Sequence, residues 1–594
     1  MDRTEALPTD LFYRIFLLVQ SLEPIPYPGP RWIPNLPIDV CEHEKESIRR
    51  YSILETPEIS ADRRLAWIRL THVSRRWRAV ALEHRGLWAS PTLYLGLKWY
   101  QCFLDRSDGA ALSLSGREYG LEAPHEYTRS YAVQMISRLV KAHPERIRSL
   151  RFTTTSGVQF FQMPLDELRS FEIRVRSAGD PTGIETPVPL GTLSPFNGQA
   201  PGLRSLHLTM KGMRYEQLPK NSPIWTRLEH LHLALSGSLP SILPIIRRSN
   251  SLRSLYLHAQ CGMPHYYTEP SATCGACLKP GFNPISIATL GRMVLHGCIR
   301  DLAHVLNHFR CHPSMNIQIH SESSESSEAT VLSEILQAVN FADIRAPSAR
   351  AVALIGEGRL QLCTASDETA LLAYHPKSTT DVIRNDSAVE LSLELHYKHI
   401  RSLVSRLSGA RILTIARPMN SSCANGTPNW GFSREDFASF TSLRHLTIAG
   451  GDINANLPLL GMDQDSDPST ILFPSLETLS IGGCTVWSLI SALPNHQPMQ
   501  TIAIWLHQIL RSRNDIGKRP VSKLYLHISE ELVYINAERW ELTSCSKYLQ
   551  DVKKVVNERL KAMQTIPGRR LLAYDTVVLL KGNQSQRMFV RRGE

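Results

Sequence analysis

The sequence predicts an α/β protein in which a small N-terminal helical module is followed by a solenoid of short parallel strands, with helices or turns on the outside. Three observations lead to this prediction. The first residues carry apolar side chains at helical spacing, a short apolar template recurs from residue 147 onward, and helical periodicity returns between its copies. A chain of 594 residues is also too long for one compact core unless its architecture grows by repetition.

Composition restricts the classes of function. The hydrophobic fraction of 42% and the charged fraction of 20% are typical of an ordered, soluble chain. No apolar run reaches the ~18 residues that a membrane span requires, and the first residues lack the apolar core of a secretory signal. The 11 cysteines are odd in number and scattered, which is typical of reduced thiols rather than of a disulfide framework. We therefore expect a cytoplasmic or nuclear location and no membrane partner.

The formal net charge of +11 raises the question of a nucleic-acid partner. No run of five or more Lys and Arg residues concentrates this charge, whereas basic nucleic-acid-binding domains are recognised by clustered charge. We do not expect nucleic acid as the main partner, although binding of nucleic acid by a basic surface stays an alternative.

Residues 7–20 predict the first helix of the N-terminal module. Pro8 stands where a proline can open a helix, and Thr9 or Asp10 can accept hydrogen bonds from the first-turn amides. Apolar side chains at three- and four-residue intervals share one helical face. They are Leu7, Leu11, Ile15, Leu18 and Val19.

Residues 64–82 predict a second apolar helix, and the short motif Gly86-Leu87-Trp88 follows it. Its expected buried stripe comprises Leu65, Ile68, Val73, Trp77 and Val80. Periodicity alone leaves open that these side chains form the core of an unspecified helical hairpin.

The order of these motifs is more specific than their periodicity. Leu-Pro-x-x-Leu-x-x-x-Ile-Phe from Leu7, Trp-Ile-x-Leu-Thr-His-Val-Ser-Arg-Arg-Trp-Arg from Trp67, and Leu87-Trp88 together resemble the F-box family over residues 1–95. The sequence from Trp67 to Trp88 is most similar to the large F-box families of mushroom-forming fungi. The resemblance implies a three-helix module that docks on the SKP-family adaptor of a cullin–RING ubiquitin ligase. It assigns that contact, or its support, to Leu7, Pro8, Leu11, Ile15, Phe16, Val73, Trp77 and Trp88.

Two departures from the family pattern accompany this resemblance. Ser74 stands where the family usually has cysteine, and we expect this small-for-small change to be harmless. Residues 23–62 form a connection far longer than the family's usual one, and its first part is rich in proline, so it cannot be a single helix. We interpret it as an extruded loop.

The repeated template is an apolar residue, two variable residues, an apolar residue, one variable residue and an apolar residue. Copies beginning at Leu203, Leu228 and Leu252 lie 25 and 24 residues apart, and a further copy begins at Leu290. Later copies begin at Leu443, Leu476, Met499 and Val521, and weaker early ones at Ile147 and Leu168. Periods of this length are typical of leucine-rich repeats, in which stacked short strands bury one shared ladder of leucines.

The segments between the copies predict return helices at residues 239–248, 302–309, 400–407 and 486–493. We assign residues 96–146 to a connecting segment, 147–540 to the solenoid and 541–594 to a C-terminal cap or tail, with a helix expected at 532–556. Residues 310–400 are irregular and do not follow the repeat template. The polar stretch 320–328 is expected to be a surface loop.

The template also predicts a partner-binding surface. Its second and third apolar residues point into the core, so the residues between and after them face the concave side of the sheet. His207, His232 and Tyr256 should form a continuous row there, joined by His258 and His296. Such a row can act as a binding hot spot, or it can simply be tolerated on an exposed strand. If the imidazoles keep their ordinary pKa near 6.5, partner affinity should change between about pH 6 and pH 7.5.

Residues that could support catalysis or metal binding are sparse. Cys274 and Cys277 have ligand spacing and follow Cys261 and His265, but the full spacing matches no known zinc set, so a zinc site and structural cysteines both stay open. No phosphate-binding loop, nucleophile elbow or kinase motif is present.

We therefore expect no catalytic residues, no cofactor and no metal. The expected function is that of a substrate-recognition subunit of an SCF-type ubiquitin ligase, whose repeats bind an unknown target protein. The alternatives are an F-box scaffold without a degradation substrate and a repeat protein with a basic, nucleic-acid-binding surface.

Overall fold

The computed structural model divides the chain into two compact units, residues 1–297 and 298–594, and each is described by itself. It describes residues 7–22, 66–92, 97–115, 135–154, 164–175, 200–259, 284–312, 314–321, 329–339, 351–355, 359–363, 391–394, 403–417, 434–450, 472–484, 523–528, 577–581 and 584–588, with a few isolated residues between them. The predicted loop at 23–62 and the helices expected at 486–493 and 532–556 lie outside these ranges, as does the template copy at Met499.

In its described residues, the N-terminal module contains three α-helices and two short 3-10 helices. In chain order these are α1 (Thr9–Leu22), a 3-10 helix (Ala66–His72), α2 (Arg75–Glu83), a second 3-10 helix (Arg85–Trp88) and α3 (Leu97–Ser107). The prediction of one continuous helix over 64–82 is therefore wrong. Ser74 adopts an extended backbone with φ −152° and ψ 170°, and its hydroxyl accepts a hydrogen bond from the amide of Trp77 at 3.4 Å. Because this bond caps α2, the chain starts a new helix there.

The core of the module is mainly aromatic. Trp67 and Trp88 lie at 5.3 Å between ring centroids, and Phe103 of α3 packs against Trp88 at 5.1 Å. The indole of Trp88 donates to the carbonyl of Ala81 at 2.7 Å, so its one polar atom is satisfied inside the core. Helix α1 faces this core with Phe12 and Phe16, both 0% exposed. The face predicted from Leu11 and Leu18 is instead exposed, because α1 carries apolar side chains on more than one face.

The first unit continues into a parallel sheet. Its strands are β1 (Leu112–Ser115), β2 (Ile147–Thr154), β3 (Ser170–Val175), β4 (Ser205–Arg214), β5 (His230–Ser236), β6 (Ser254–Ala259) and β7 (Arg292–Gly297). Each pairs in parallel with the next in chain order. The α/β class and the parallel sheet are thus confirmed, and the arrangement is of the leucine-rich-repeat type. The segment assigned as a connection contributes more than expected, since it holds α3, β1 and a helical stretch at 135–142.

The template explains this sheet. In β4 to β7 each strand begins two residues after the first template leucine, and the second and third template residues form buried ladders, such as Leu206, Leu231 and Leu255. The backbone before each strand is also shared between repeats. The carbonyl of Arg169 accepts from the amides of Arg204 at 2.8 Å and Ser205 at 3.0 Å. The same two-amide pattern recurs at the next repeats, so neighbouring repeats are held in a fixed register.

Two of the predicted return helices are confirmed in the described part of the chain. A 3-10 helix (Leu239–Ile242) leads into a short α-helix (Leu243–Ile246), and a longer helix spans Ile299–Asn307. The turn before the first of these requires Gly237, which has φ +90°. Its backbone lies so close to the Glu216 carboxylate that an added Cβ would meet an oxygen at 2.6 Å. That carboxylate accepts from the amide of Ser238 and the hydroxyl of Ser241, which caps the helix.

The second unit departs from simple repetition. Its strands are β8 (Asn316–Ser321), β9 (Ala351–Ile355), β10 (Arg359–Cys363), β11 (Leu391–Glu394), β12 (Ile412–Arg417), β13 (His445–Gly450), β14 (Thr478–Cys484), β15 (Lys523–Ile528), β16 (Val577–Lys581) and β17 (Gln584–Met588). In space the order begins β8, β11, β10, β9, β12 and then follows the chain to β17. Strands β10 and β17 are antiparallel to their neighbours.

This reversal explains why residues 310–400 showed no repeat register. Strands β9 and β10 form an antiparallel pair, and β11 returns to lie beside β8. The prediction of a surface loop over residues 320–328 is wrong at its start, because His320 and Ser321 are the last residues of β8. No helix in the described ranges is both long and apolar enough to cross a membrane.

Candidate functional site

The open face of the sheet, defined here as the side of β2 to β7 opposite the buried leucines, carries the predicted row. The strand register places His207 beside His232 and His232 beside Tyr256. His258 and His296 are likewise paired across β6 and β7, two residues further along the strands. The predicted alignment of these side chains on one face is therefore confirmed, while their role in binding stays a prediction.

The rings in this row stack on one another. The ring centroids of His207 and His232 are 3.6 Å apart at an interplanar angle of 20°, and those of His232 and Tyr256 are 3.8 Å apart at 11°. His296 lies 5.2 Å from Tyr256 and 5.1 Å from His258, both at tilted angles. Because the faces of the first three rings cover each other, the row offers ring edges, with their nitrogen and hydroxyl groups, to a partner.

A charged cluster continues the row onto β3 and β2. Glu172 lies beside His207 in the strand register. Its two carboxylate oxygens accept from Arg151 Nε at 2.8 Å and Arg174 Nε at 2.9 Å. One of the same oxygens lies 3.7 Å from His207 Nδ1, and His207 Nε2 lies 3.1 Å from the hydroxyl of Thr209. His207 Nε2 therefore has a hydrogen-bonding partner, whereas Nδ1 lies near the Glu172 carboxylate but beyond hydrogen-bonding distance.

The environment of the row changes its titration. Burial, opposed in part by Glu172, lowers the pKa of His207 from 6.5 to about 4. Burial, aided by the nearby His207 and Arg174, lowers the pKa of His232 to about 3. Both imidazoles are thus neutral across pH 6 to pH 7.5, since desolvation penalises the charged form. The expectation of a pH-dependent affinity in that range, which assumed ordinary histidines, is wrong for these two residues.

A second feature of this face was not anticipated from the sequence. In the repeats that form β2 to β7, the residue that follows the first template position is arginine four times. These arginines form what we call the arginine edge, beside the starts of the strands. Its members are Arg148, Arg169, Arg204 and Arg253, all exposed. The repeat between the last two has Glu229, whose carboxylate pairs with Arg204 Nη1 at 3.2 Å and Arg253 Nε at 3.4 Å. The recurring Leu-Arg-Ser at Leu168, Leu203 and Leu252 is the sequence signal that could have revealed it.

The predicted adaptor-binding residues of the N-terminal module fall into three groups by their exposure. Phe16 and Trp88 are 0% exposed, so they support the module from inside and cannot contact a partner directly. Leu7 and Trp77 pack partly against the same core, and Ile15 is half-buried. The remaining three, Pro8, Leu11 and Val73, are exposed.

The four residues considered as zinc ligands lie outside the described residues: Cys261, His265, Cys274 and Cys277. Within the described ranges, no group of three or more His, Cys, Asp or Glu side chains is arranged to hold a metal ion.

Comparisons with known proteins add little to these observations. No family model and no curated protein matches the chain. Among solved structures, the chain is similar to a chain in the "Crystal structure of TLR13-ssRNA13 complex", with 12% identity and a TM-score of 0.24 over 65% of this chain and 45% of that one. The chain thus spans less than half of that protein, and the match carries no argument about function. The assignment of a parallel, repeat-type α/β fold follows from the strand pairing itself.

Proposed function

We propose that this protein is the target-recognition subunit of an SCF-type cullin–RING ubiquitin ligase. In this role the N-terminal module docks on the SKP-family adaptor, and the open face of the repeats holds a target protein. The chain itself contributes no catalytic group, because its task is to bring the target close to the ubiquitin-transferring subunits. The motif order from Leu7 to Trp88 and one feature of the exposed surface support this proposal.

That feature is the distribution of exposed apolar side chains. Among the described residues, the large hydrophobic side chains that are exposed all lie in the N-terminal module: Leu11, Leu17, Leu18, Val73 and Leu82. Their exposed fractions range from 39% to 59%. An isolated exposed leucine needs no explanation, but several in one small module mark a surface that another protein covers.

The first helix provides a sharp test of this surface. Leu11 and Leu18 are seven residues apart on α1, about two helical turns, and so lie on one side of it. Burying each against a partner should contribute about 1.5 kcal/mol, and losing both should weaken adaptor binding about a hundredfold. We expect the Leu11→Gln/Leu18→Gln variant to lose the purified SKP-family adaptor in a titration, with its helical circular dichroism unchanged.

The matched control is Lys98→Gln, an exposed substitution on the neighbouring helix α3, which should leave adaptor affinity unchanged. Wild-type affinity in the leucine double variant would contradict the proposal. A scaffold without a degradation substrate would keep the adaptor but show no bound protein that accumulates when the proteasome is inhibited.

A further inference from the structure

The open face and the arginine edge form a regular surface of three parallel rows. The arginine edge runs along the starts of the strands, and a row of serines follows at the next position. The aligned serines are Ser149, Ser170 and Ser205, with His230 and then Ser254 continuing the row. The third row is Arg151, Glu172, His207, His232 and Tyr256. Serine is shorter than the side chains on both sides, so the middle row is low from β2 to β4 and again at β6, and it is interrupted by His230 on β5.

The charge on these rows is strongly positive. Over β2 to β7 the three rows, together with Arg174 on the outer side of the third, hold two glutamates, Glu172 and Glu229. They hold seven arginines: Arg148, Arg169, Arg204 and Arg253 of the arginine edge, Arg292 of the middle row, Arg151 of the third row, and Arg174. Each glutamate already pairs with two arginines. Cationic side chains therefore exceed anionic ones by five on a surface that the net charge of the whole chain does not reveal. All seven cations are arginines, whose planar guanidinium groups bind carboxylates through two parallel hydrogen bonds.

We infer that this surface binds an extended acidic segment of a protein. The inference rests on the proposed function, because it specifies the chemistry of the target that the repeats hold. Carboxylates of the segment bind the arginine edge, its backbone lies over the serine row, and the ring edges of His232 and Tyr256 exchange hydrogen bonds with its peptide groups. Six strands spaced about 4.8 Å apart span about 24 Å, which an extended chain crosses in about seven residues.

The stacking of the rings favours a peptide over a nucleic acid. Proteins that bind single-stranded nucleic acid offer free aromatic faces on which bases stack. Here His207, His232 and Tyr256 cover one another's faces, with centroids 3.6 and 3.8 Å apart. The two imidazoles are also neutral at physiological pH, so they add hydrogen-bonding groups but no positive charge for phosphates.

The test uses the full-length protein and a fluorescently labelled oligoglutamate peptide of about eight residues, the length set by the strand spacing. We expect saturable binding that weakens as salt is raised, because exposed charges are screened. Arg148→Gln/Arg169→Gln removes two neighbouring cations of the arginine edge and should weaken binding about tenfold. The control Lys220→Gln/Arg248→Gln removes two exposed cations from connecting segments and should change affinity less than about twofold.

Equal losses in the two double variants would overturn the inference, since binding would then follow net charge alone. Tighter binding of an oligouridylate of the same length, with the loss confined to the arginine-edge variant, would replace the acidic segment by a nucleic acid. Adaptor binding is measured on the same samples. A protein that binds the adaptor but not the peptide would refute this inference alone. A protein that binds the peptide but not the adaptor would refute the proposed function and leave the inferred binding of an acidic segment unaffected.

Discussion

The N-terminal module and the sheet β2 to β7 place their apolar and polar side chains in contrasting ways. The module buries aromatic rings such as Trp67 and Trp88 and leaves Leu11 and Leu18 outside. The sheet buries its leucines in ladders and carries exposed arginines beside half-buried serines and stacked imidazoles. We propose two different partners for surfaces of such different chemistry, one held by apolar contact and one by charge. Binding at the first should be almost insensitive to salt, and binding at the second should not.

The largest expected effect tests whether the two regions are stable independently. Trp88→Ala removes a side chain that is 0% exposed and packs against two aromatic rings, so it should cost about 3–5 kcal/mol. The matched change in the sheet region is Trp225→Ala, whose indole is equally buried and donates to the carbonyl of Pro219 at 2.7 Å. In hydrogen exchange, the first variant should expose the amides of α1 and α2, and the second those of β5 and β6.

If both variants lost amide protection over the whole first unit, the module and the sheet would not be independently stable. The module does contact the sheet, since Ser113 of β1 donates its amide to the carbonyl of Ala89 at 2.9 Å and Arg146 binds the hydroxyl of Ser107 at 2.8 Å. The exchange pattern decides whether these bonds are enough to make module and sheet one cooperative unit.

The same comparison shows what the sequence could reveal about the fold. The leucine template located β4 to β7 correctly, because the alternation of strand side chains forces a buried ladder into a fixed spacing. It missed β12, where Ala410 occupies the first template position before Leu413 and Ile415. It could not locate β9 to β11, because their spatial order depends on pairing between distant segments rather than on a local pattern. On α1, Phe12 and Leu11 both follow helical spacing, so periodicity could not decide which faces inward.

The candidate site was predictable in position but not in chemistry. The register of His207, His232 and Tyr256 follows from the template, since equivalent residues of stacked repeats lie side by side. Their lowered pKa values depend on burial and on charges from β3, which no local pattern contains. Ser74 illustrates the same limit in the module, where the expected harmless substitution turns out to cap α2.

A second prediction concerns acid. Unfolded histidines titrate near pH 6.5, whereas His207 and His232 have folded pKa values of about 4 and about 3. At a pH between the folded and the unfolded pKa values, these two histidines are protonated in the unfolded chain and neutral in the folded sheet. The free energy of unfolding should therefore fall as the pH drops from about 6.5 to about 4. His207→Gln/His232→Gln should flatten this dependence in thermal melts followed across that range.

The control for the acid prediction is His143→Gln, a histidine before β2 that lies outside the stacked row. The His207→Gln/His232→Gln variant should flatten the slope of melting temperature against pH more than this control does. The groups that face the row, Glu172, Arg151, Arg174, His258 and His296, are kept in both variants. Equal slopes for wild type and the double variant would show that the stacked imidazoles do not determine the acid response.

The smallest expected effect concerns the arginine edge. Arg204 and Glu229 pair at 3.2 Å, but their side chains are 51% and 28% exposed. Exposed pairs of this kind contribute about 0.2–1 kcal/mol, because water screens the attraction and ordering two long side chains costs entropy. A double-mutant cycle with Arg204→Gln and Glu229→Gln, read by chemical denaturation, should therefore give a coupling near the low end of that range, smaller still at high salt. A coupling of several kcal/mol would make the edge a structural element of the sheet. A small coupling, together with weakened peptide binding by the arginine-edge variant, would mean that these cations serve recognition rather than stability.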